Sequence, residues 1–265
     1  MSSSSESIIK ETTGTYSLDQ PCSRVEVCGE SGEFVILGGR KYHREDLTRA
    51  FAGTFQVERY STGPTHSFAN PAPVGLAGFG LTTVVLGLFI ANAKHIHQPQ
   101  LIVGCCMFAG GVLLFLSGTW ELVMGNTFGG TAFVSYGTFW FSFGAITIPG
   151  FGIAEAYGED ADQLNQAIGH WLLGWVIFTL ICWAFTLKAT WAFFITFTFL
   201  EATFVVLMAA YYSGSANVMK GGGILAVITG FMGWFCGYAG IANRSNTYSF
   251  FIPPSLPMPL IGKKG

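Results

Sequence analysis

Six apolar stretches of about 20 residues each follow one another between residues 71 and 243 of this 265-residue chain. That length is what a helix needs to cross the hydrocarbon core of a bilayer. The composition is 51% apolar and only 11% charged, which leaves too little polar surface for a soluble protein of this size. The chain is therefore predicted to be an all-α integral membrane protein. Its six spans are predicted at 71–91, 101–124, 131–154, 168–187, 191–212 and 221–243.

Charge is unevenly distributed along the chain, since residues 1–69 carry nine of its 15 acidic residues. We predict an N-terminal tail over 1–69, a six-helix membrane domain over 70–243 and a C-terminal tail over 244–265. Residues 1–39 have the composition of a disordered segment, and residues 43–51 are predicted to form a short helix at the membrane surface. The chain starts without the apolar segment of a signal peptide. Basic residues near the span ends place both tails in the cytoplasm.

The first span opens on an unusual helix start, Asn70-Pro71-Ala72-Pro73. Asn70 can cap a helix, and Pro71 at the first helical position loses only an N–H that would stay unpaired anyway. The positive end of the helix dipole and free N–H groups at this start would suit an anion. Small residues follow, which allow close helix packing: Gly75, Ala77, Gly78 and Gly80.

Two carboxylic acids, Glu121 and Glu201, fall within predicted spans. A charged group there is costly unless it faces water, a partner or a cavity, so both are candidates for a proton-linked role. Glu121 lies near a span end, where it could instead reach the interface or cap a neighbouring helix. Glu201 lies halfway along the fifth span, where a buried hydrogen bond is the alternative.

Other polar features point to packing and exclude most enzyme chemistry. Four of the six cysteines lie in apolar runs, as small core residues do, and His95 and His97 lack further ligands nearby. Neither a phosphate-binding loop nor a catalytic triad order is present, so neither enzyme activity nor a cofactor or metal is predicted. Small residues at helical spacing in the sixth span indicate close packing, within one subunit or between subunits: Gly222, Ala226, Gly230, Gly233 and Gly237.

Several motifs together resemble the acetate uptake transporter family, also called succinate-acetate permeases. They are the Asn70–Gly80 run, Trp120-Glu121-Leu122 followed by Asn126-Thr127-Phe128-Gly129, and Ser135-Tyr136-Gly137 with Phe139-Trp140. The resemblance covers roughly residues 66–243. The long polar tail before the first span is similar to that of fungal members.

The resemblance implies six helices per subunit, a ring-shaped homo-hexamer with one pathway in each protomer, and a place in the plasma membrane. It implies passage of acetate, related monocarboxylates or succinate, linked to protons. A narrow apolar gate of a Phe, a Tyr and a Leu in the family matches Phe79, Tyr136 and Leu200. The family Glu of the second span matches Glu121, and the Asn after it matches Asn126.

From this we predict how the site residues act. The anion is drawn to the helix start at Asn70, loses water at the gate, and receives hydrogen bonds from hydroxyl and amide groups. Glu121 and Glu201 are the candidates for proton coupling. The remaining substrate-binding candidates are Thr82, Thr83, Asn126 and Thr131.

Three other functions compete with this prediction. An aquaporin-like channel would need the Asn-Pro-Ala motif twice and an Arg in its filter, whereas this chain has the motif once and no Arg in a span. An ammonium or ammonia exporter of the same lineage stays open. A membrane sensor or scaffold, in which the tail signals without transport, also stays open. No nucleic-acid partner is expected.

Overall fold

The computed structural model describes residues 25–29, 31–50, 68–96 and 98–258. It divides into two compact units, Met1–Ser67 and Phe68–Gly265. Predictions that fall on residues 1–24, 51–67 and 259–265, and on His97, lie outside the described residues.

The first unit contains a small antiparallel sheet that the sequence analysis did not predict. Its strands are β1 (Val25–Cys28), β2 (Phe34–Leu37) and β3 (Arg40–His43), in the order β1-β2-β3. The chain is therefore mostly helical rather than all-α, and the described residues 25–29 and 31–39, predicted to be disordered, contain two of these strands. Val35 in the central strand is buried and is paired with Val27 on one side and Tyr42 on the other. Helix α1 (Arg44–Ala50) follows β3 and matches the predicted short helix.

The second unit is a bundle of long helices. Five are long and apolar enough to cross a membrane by length and composition. The further helix, at 127–147, is rich in Gly, Ser and Thr, which lower its mean hydropathy. The long helices of this described part of the chain are α2 (Ala72–Ile90), α3 (Leu101–Val123), α4 (Thr127–Thr147), α5 (Ala161–Thr186), α6 (Trp191–Ser213) and α7 (Ala216–Ile241).

Helices α4 and α5 start earlier than predicted because polar side chains cap them. Oδ1 of Asn126 accepts a hydrogen bond from the Gly129 amide at 3.0 Å. Oδ1 of Asp160 caps α5 in the same way, from the Gln163 amide at 2.9 Å. Helix α4 ends earlier than predicted, at Thr147, because Pro149 disfavours the helical conformation in the residue before it.

Helix α2 packs closely against both α7 and α3, which closes the bundle. A Cβ on Gly87 would lie 2.6 Å from the Gly223 carbonyl oxygen of α7, so the two backbones touch there. Similarly, a Cβ on Gly230 would lie 3.0 Å from the Gly80 carbonyl oxygen. The small residues of α7 thus serve packing within one chain, one of the two alternatives left open by the sequence.

Helix α3 contains a π-helical segment, Cys105–Leu113. At its start the Cys105 carbonyl accepts a hydrogen bond from the Thr82 hydroxyl of α2, at 3.2 Å. A Cβ on Gly78 would overlap the Ala109 carbonyl oxygen in the same segment. The π-helical segment therefore packs its backbone directly on α2.

The segment after α7 returns to the turn between α5 and α6. The Trp191 amide donates to the Leu256 carbonyl, and the Met258 amide donates to the Ala189 carbonyl, both at 2.9 Å. This pairing holds the C-terminal segment at the end of the bundle where α6 begins.

The contact between α2 and α3 generates a stability prediction. Gly78→Ala should destabilise the protein by about 1–3 kcal/mol, because the new methyl group meets backbone that cannot move aside. The measurement is the thermal unfolding midpoint in detergent.

Gly174→Ala is the matched control, since a Cβ on Gly174 meets nothing within 4 Å. Alanine favours a helix over glycine, so this variant should be unchanged or slightly more stable. Equal midpoints for the two variants would contradict the close contact at Gly78.

Candidate functional site

A small cavity lies in the centre of the bundle, between α2, α4, α6 and α7. Its volume is about 30 Å³, room for about two water molecules. Aromatic and aliphatic side chains form most of its wall. The residues that line it are Phe79, Thr83, Leu86, Tyr136, Phe139, Trp140, Leu200, Thr203, Phe204, Leu207 and Ala226.

The three predicted gate residues meet at this cavity. Phe79 comes from α2, Tyr136 from α4 and Leu200 from α6, and each is at most 6% exposed. The three residues are far apart in the sequence, and the fold brings them together. With four non-hydrogen atoms, acetate is larger than the space present, and these side chains would have to move for it to pass. The arrangement is that of a closed constriction.

Tyr136 is held in one orientation by its neighbours. Its hydroxyl donates a hydrogen bond to the Thr179 hydroxyl of α5, at 3.0 Å. The rings of Phe178 and Phe197 lie edge-on to it, with centroids 5.6 and 6.1 Å away. The hydroxyl is therefore turned towards α5.

The Phe79 ring packs against Gly233 of α7, which has no side chain. A Cβ on Gly233 would lie 2.6 Å from Cδ1 of the Phe79 ring. The ring therefore occupies the space that any other residue at position 233 would fill. One turn further along α2, the hydroxyl of Thr83 donates to the Phe79 carbonyl at 2.6 Å.

Glu121 forms a hydrogen-bonded pair with Asn126 where α3 turns into α4. Asn126 Nδ2 donates to Glu121 Oε2 at 2.6 Å, and the Asn126 amide donates to the Glu121 carbonyl at 2.9 Å. Glu121 is only 4% exposed, so its side chain does not reach out to the interface. Instead it binds Asn126, and Asn126 rather than Glu121 caps α4.

The start of α2 offers fewer donors than the sequence analysis expected. Pro71 and Pro73 have no N–H, the Ala72 amide donates to Asn70 Oδ1 at 3.1 Å, and the Val74 amide donates to the Pro71 carbonyl. Every amide N–H of residues 71–74 is thus paired within the helix start. The expectation of free amide donors is wrong for these residues, because Asn70 and the two prolines use up or remove them.

Two predicted substrate-binding residues lie apart from the cavity. Thr82 is fully buried, and its hydroxyl donates to the carbonyls of Gly78 and Cys105 between α2 and α3. Thr131 is exposed and lines a groove of about 310 Å³ with Phe128 on the outside of the bundle. Neither residue contributes to the cavity wall.

Glu201 follows the gate residue Leu200 in α6. Its side chain is half-buried, and its Oε2 atom is buried without a hydrogen-bond partner among the described residues. An acceptor in that position is satisfied by a proton, a water molecule or a partner group. The geometry is compatible with proton binding there.

Helical spacing could have identified more of the cavity from the sequence. Residues three and four places after a gate residue lie on the same face of its helix. After Phe79 that rule selects Thr83 and, wrongly, Thr82, which faces α3 instead. After the other two gate positions it selects four further lining residues: Phe139, Trp140, Thr203 and Phe204. Thr179 and Gly233 carry no such signal, because each reaches the gate from another helix.

Comparison with known proteins gives consistent results along most of the chain. "Ammonia transport outward protein 2" of Saccharomyces cerevisiae is 43% identical over 256 residues, which are 97% of this chain and 90% of that protein. "Acetate permease A" of Emericella nidulans is 39% identical over 226 residues, 82% of this chain and 75% of that protein. The solved structure of the bacterial acetate channel SatP covers 68% of this chain and 96% of its own, with 32% identity and a TM-score of 0.61.

The family comparison covers the whole membrane unit. The sequence profile of the GPR1/FUN34/yaaH family matches residues 51–260. That range includes all six long helices and every residue of the central cavity. The chain therefore belongs to the GPR1/FUN34/yaaH family.

Proposed function

We propose that this protein carries acetate and related small carboxylates across the plasma membrane, along a path through the centre of each chain. The observation that carries the proposal is the meeting of Phe79, Tyr136 and Leu200 at one small cavity. The names of two relatives support the substrate, since one is an acetate permease and the other a bacterial acetate channel.

The physical need for such a path follows from the ionisation of the substrate. A small carboxylic acid has a pKa near that of a Glu side chain, about 4.3, so nearly all of it is anionic at neutral pH. An anion enters hydrocarbon only at high cost. A constriction of aromatic and aliphatic side chains admits a short carboxylate with a methyl tail more readily than a bulky or doubly charged one.

The entrance of the path and the gate use different groups. At one end, the side chains of Asn70 and Asn126 would receive the anion, together with the positive dipole ends of α2 and α4. The gate lies about 10 Å further in, since Phe79 is seven residues after the start of α2. There Thr83 is the one substrate-binding candidate from the sequence that lines the cavity.

Proton coupling is proposed for Glu121, with Glu201 as a second group. Glu121 is buried at the α3–α4 turn and paired to Asn126. Gain or loss of a proton there would change the hydrogen bond that holds the cap of α4, the helix that carries Tyr136. Protonation of Glu121 would thus shift α4 and, with it, Tyr136 at the gate.

The membrane arrangement is part of the same proposal. With six crossings, including α4, the start of α2 and the end of α7 would lie on one side of the membrane. The excess of basic residues near these ends supports the cytoplasmic side. A homo-hexamer with one path in each subunit follows from the resemblance to the family. Both remain to be tested, by accessibility labelling of the tails and by mass measurement in detergent.

Ammonia export is the second candidate, because the relative from Saccharomyces cerevisiae that is 43% identical carries that name. Aromatic rings such as those in the cavity wall attract cations through their faces. Purified protein in liposomes separates the two candidates when uptake of labelled acetate and of methylammonium is measured with and without a pH gradient. Acetate uptake stimulated by an inward proton gradient is expected; methylammonium flux alone would favour ammonia export, and no flux would leave a sensor or scaffold.

Widening the gate should change which acids pass. Leu200→Ala removes a side chain from the cavity wall and should admit lactate or longer acids that the unchanged protein excludes. The ratio of lactate to acetate uptake in liposomes measures the effect. Leu180→Ala is the control, since Leu180 is 52% exposed on the outside of the bundle; an equal ratio in both variants would count against the gate.

Narrowing the gate should slow acetate itself. Gly233→Ala places a methyl group against the Phe79 ring and pushes it towards the cavity. An overpacking cost of about 1.4 kcal/mol in the conducting state would lower the rate about tenfold. Adding Phe79→Leu should restore acetate uptake, because the smaller side chain accommodates the methyl group. Uptake that stays normal in Gly233→Ala would contradict the role of Phe79.

Removing the proton-binding group should remove the pH dependence. Glu121→Gln keeps an oxygen that can accept from Asn126, so the turn should fold, but it cannot titrate. Acetate uptake should then lose its stimulation by a proton gradient. Glu201→Gln measures the second group separately, and Glu155→Gln on the exposed turn Glu155–Tyr157 is the control. A pH profile that Glu121→Gln leaves unchanged would show that Glu121 does not couple protons.

A further inference from the structure

Trp140 has a buried hydrogen-bond donor that no group in the described part of the chain accepts from. The residue is 3% exposed, and its indole Nε1 has no partner among the described residues. Trp140 also lines the central cavity. Buried N–H groups are almost always paired, so an unpaired one at a cavity indicates a bound molecule that accepts a hydrogen bond.

The other polar side chains of the cavity have already used their donors. The hydroxyl of Thr83 donates to the Phe79 carbonyl, and that of Tyr136 donates to Thr179. Thr203 donates to the Phe199 carbonyl at 2.7 Å. Of the four polar side chains in the cavity wall, Trp140 is therefore the one with a donor left.

The indole ring is also held in place, as a binding group should be. A Cβ on Gly110 would lie 2.6 Å from Cγ of Trp140, so the π-helical segment of α3 packs flat against the ring. The ring of Phe139 lies edge-on to it at 5.1 Å. The N–H is therefore presented without the entropy cost of ordering a mobile side chain.

We propose that the indole N–H of Trp140 donates a hydrogen bond to the carboxylate of the substrate as it passes the central cavity. The inference rests on the proposed function and adds a substrate-binding residue to it. A carboxylate offers only acceptors, and a protonated acid still offers its carbonyl oxygen. Trp140 would thus donate to the substrate in either protonation state, at the narrow point of the path where the substrate is least hydrated.

The first test compares two variants that each lose an indole N–H. Trp140→Phe keeps an aromatic ring in the cavity wall, and the KM for acetate uptake in liposomes should rise about tenfold, the effect of losing one hydrogen bond to a charged group. Trp183→Phe is the matched control, because its indole N–H donates to Thr198 away from the cavity. Its KM should be unchanged. An unchanged KM in Trp140→Phe would overturn the inference.

The second test measures acetate binding on the unchanged protein and needs a variant only to assign one signal. The chain has seven tryptophans, whose indole N–H signals can be observed by ¹⁵N–¹H NMR in detergent. The signal that disappears in Trp140→Phe, or in Trp140→Tyr if the first variant does not fold, should shift when acetate is added. In buffer that already contains sodium chloride, replacing sodium by ammonium should leave it in place, because ammonium has no hydrogen-bond acceptor. A signal that acetate does not move would show that the N–H binds water or nothing.

Acetate transport and the role of Trp140 would be overturned by different results. If the unchanged protein takes up no acetate, both the proposed function and this inference are overturned. If it takes up acetate while KM in Trp140→Phe and the NMR signal stay the same, only the role of Trp140 is overturned.

Discussion

The close approach of α2 and α7 is the contact on which the rest of the membrane unit depends. Lipid tails are as apolar as leucine, so helices in a membrane gain little from burying apolar surface and associate through tight packing. Glycines at 80, 87, 223 and 230 let the two backbones touch. Because that contact fixes α2 relative to α7, it also fixes where the Phe79 ring lies beside Gly233. A wider separation would leave the constriction without one wall.

The buried threonine hydroxyls of the bundle share one hydrogen-bond pattern. Buried threonine hydroxyls donate to the carbonyl one turn earlier in their own helix, as at positions 83, 196, 203 and 229. This gives the hydroxyl an acceptor within its own helix and keeps the cavity wall largely apolar. Thr196 and Thr203 also lie within hydrogen-bond distance of Cys236 and Thr229 on α7, at 3.3 and 3.0 Å. Against that background the unpaired atoms stand out. Among buried side-chain atoms of the described residues they are the indole nitrogen of Trp140, a donor, and one oxygen of Glu201, an acceptor.

Much of the membrane unit could be predicted from the sequence, since apolar length and helix breakers are local signals. The starts of α3 and α6 were predicted correctly at 101 and 191. The early starts of α4 and α5 were missed because a cap lies in polar sequence, before the apolar run that marks the span. The sheet at 25–43 was missed because its strands are only four residues long and lie in a segment rich in charged and small residues. The cavity could be predicted only in part, since the packing of α5 and α7 around it depends on contacts between distant residues.

The π-helical segment of α3 also affects which changes in chain length the fold tolerates. Residues in an α-helix are rotated by about 100° from one to the next, so the loss of one residue within Cys105–Leu113 would turn the rest of α3 by about that angle. Ser117, now 4% exposed and donating to the Pro71 carbonyl at the start of α2 at 2.7 Å, would then swing away from that partner. A shorter version of α3 would therefore need its second half redesigned as a new helix face.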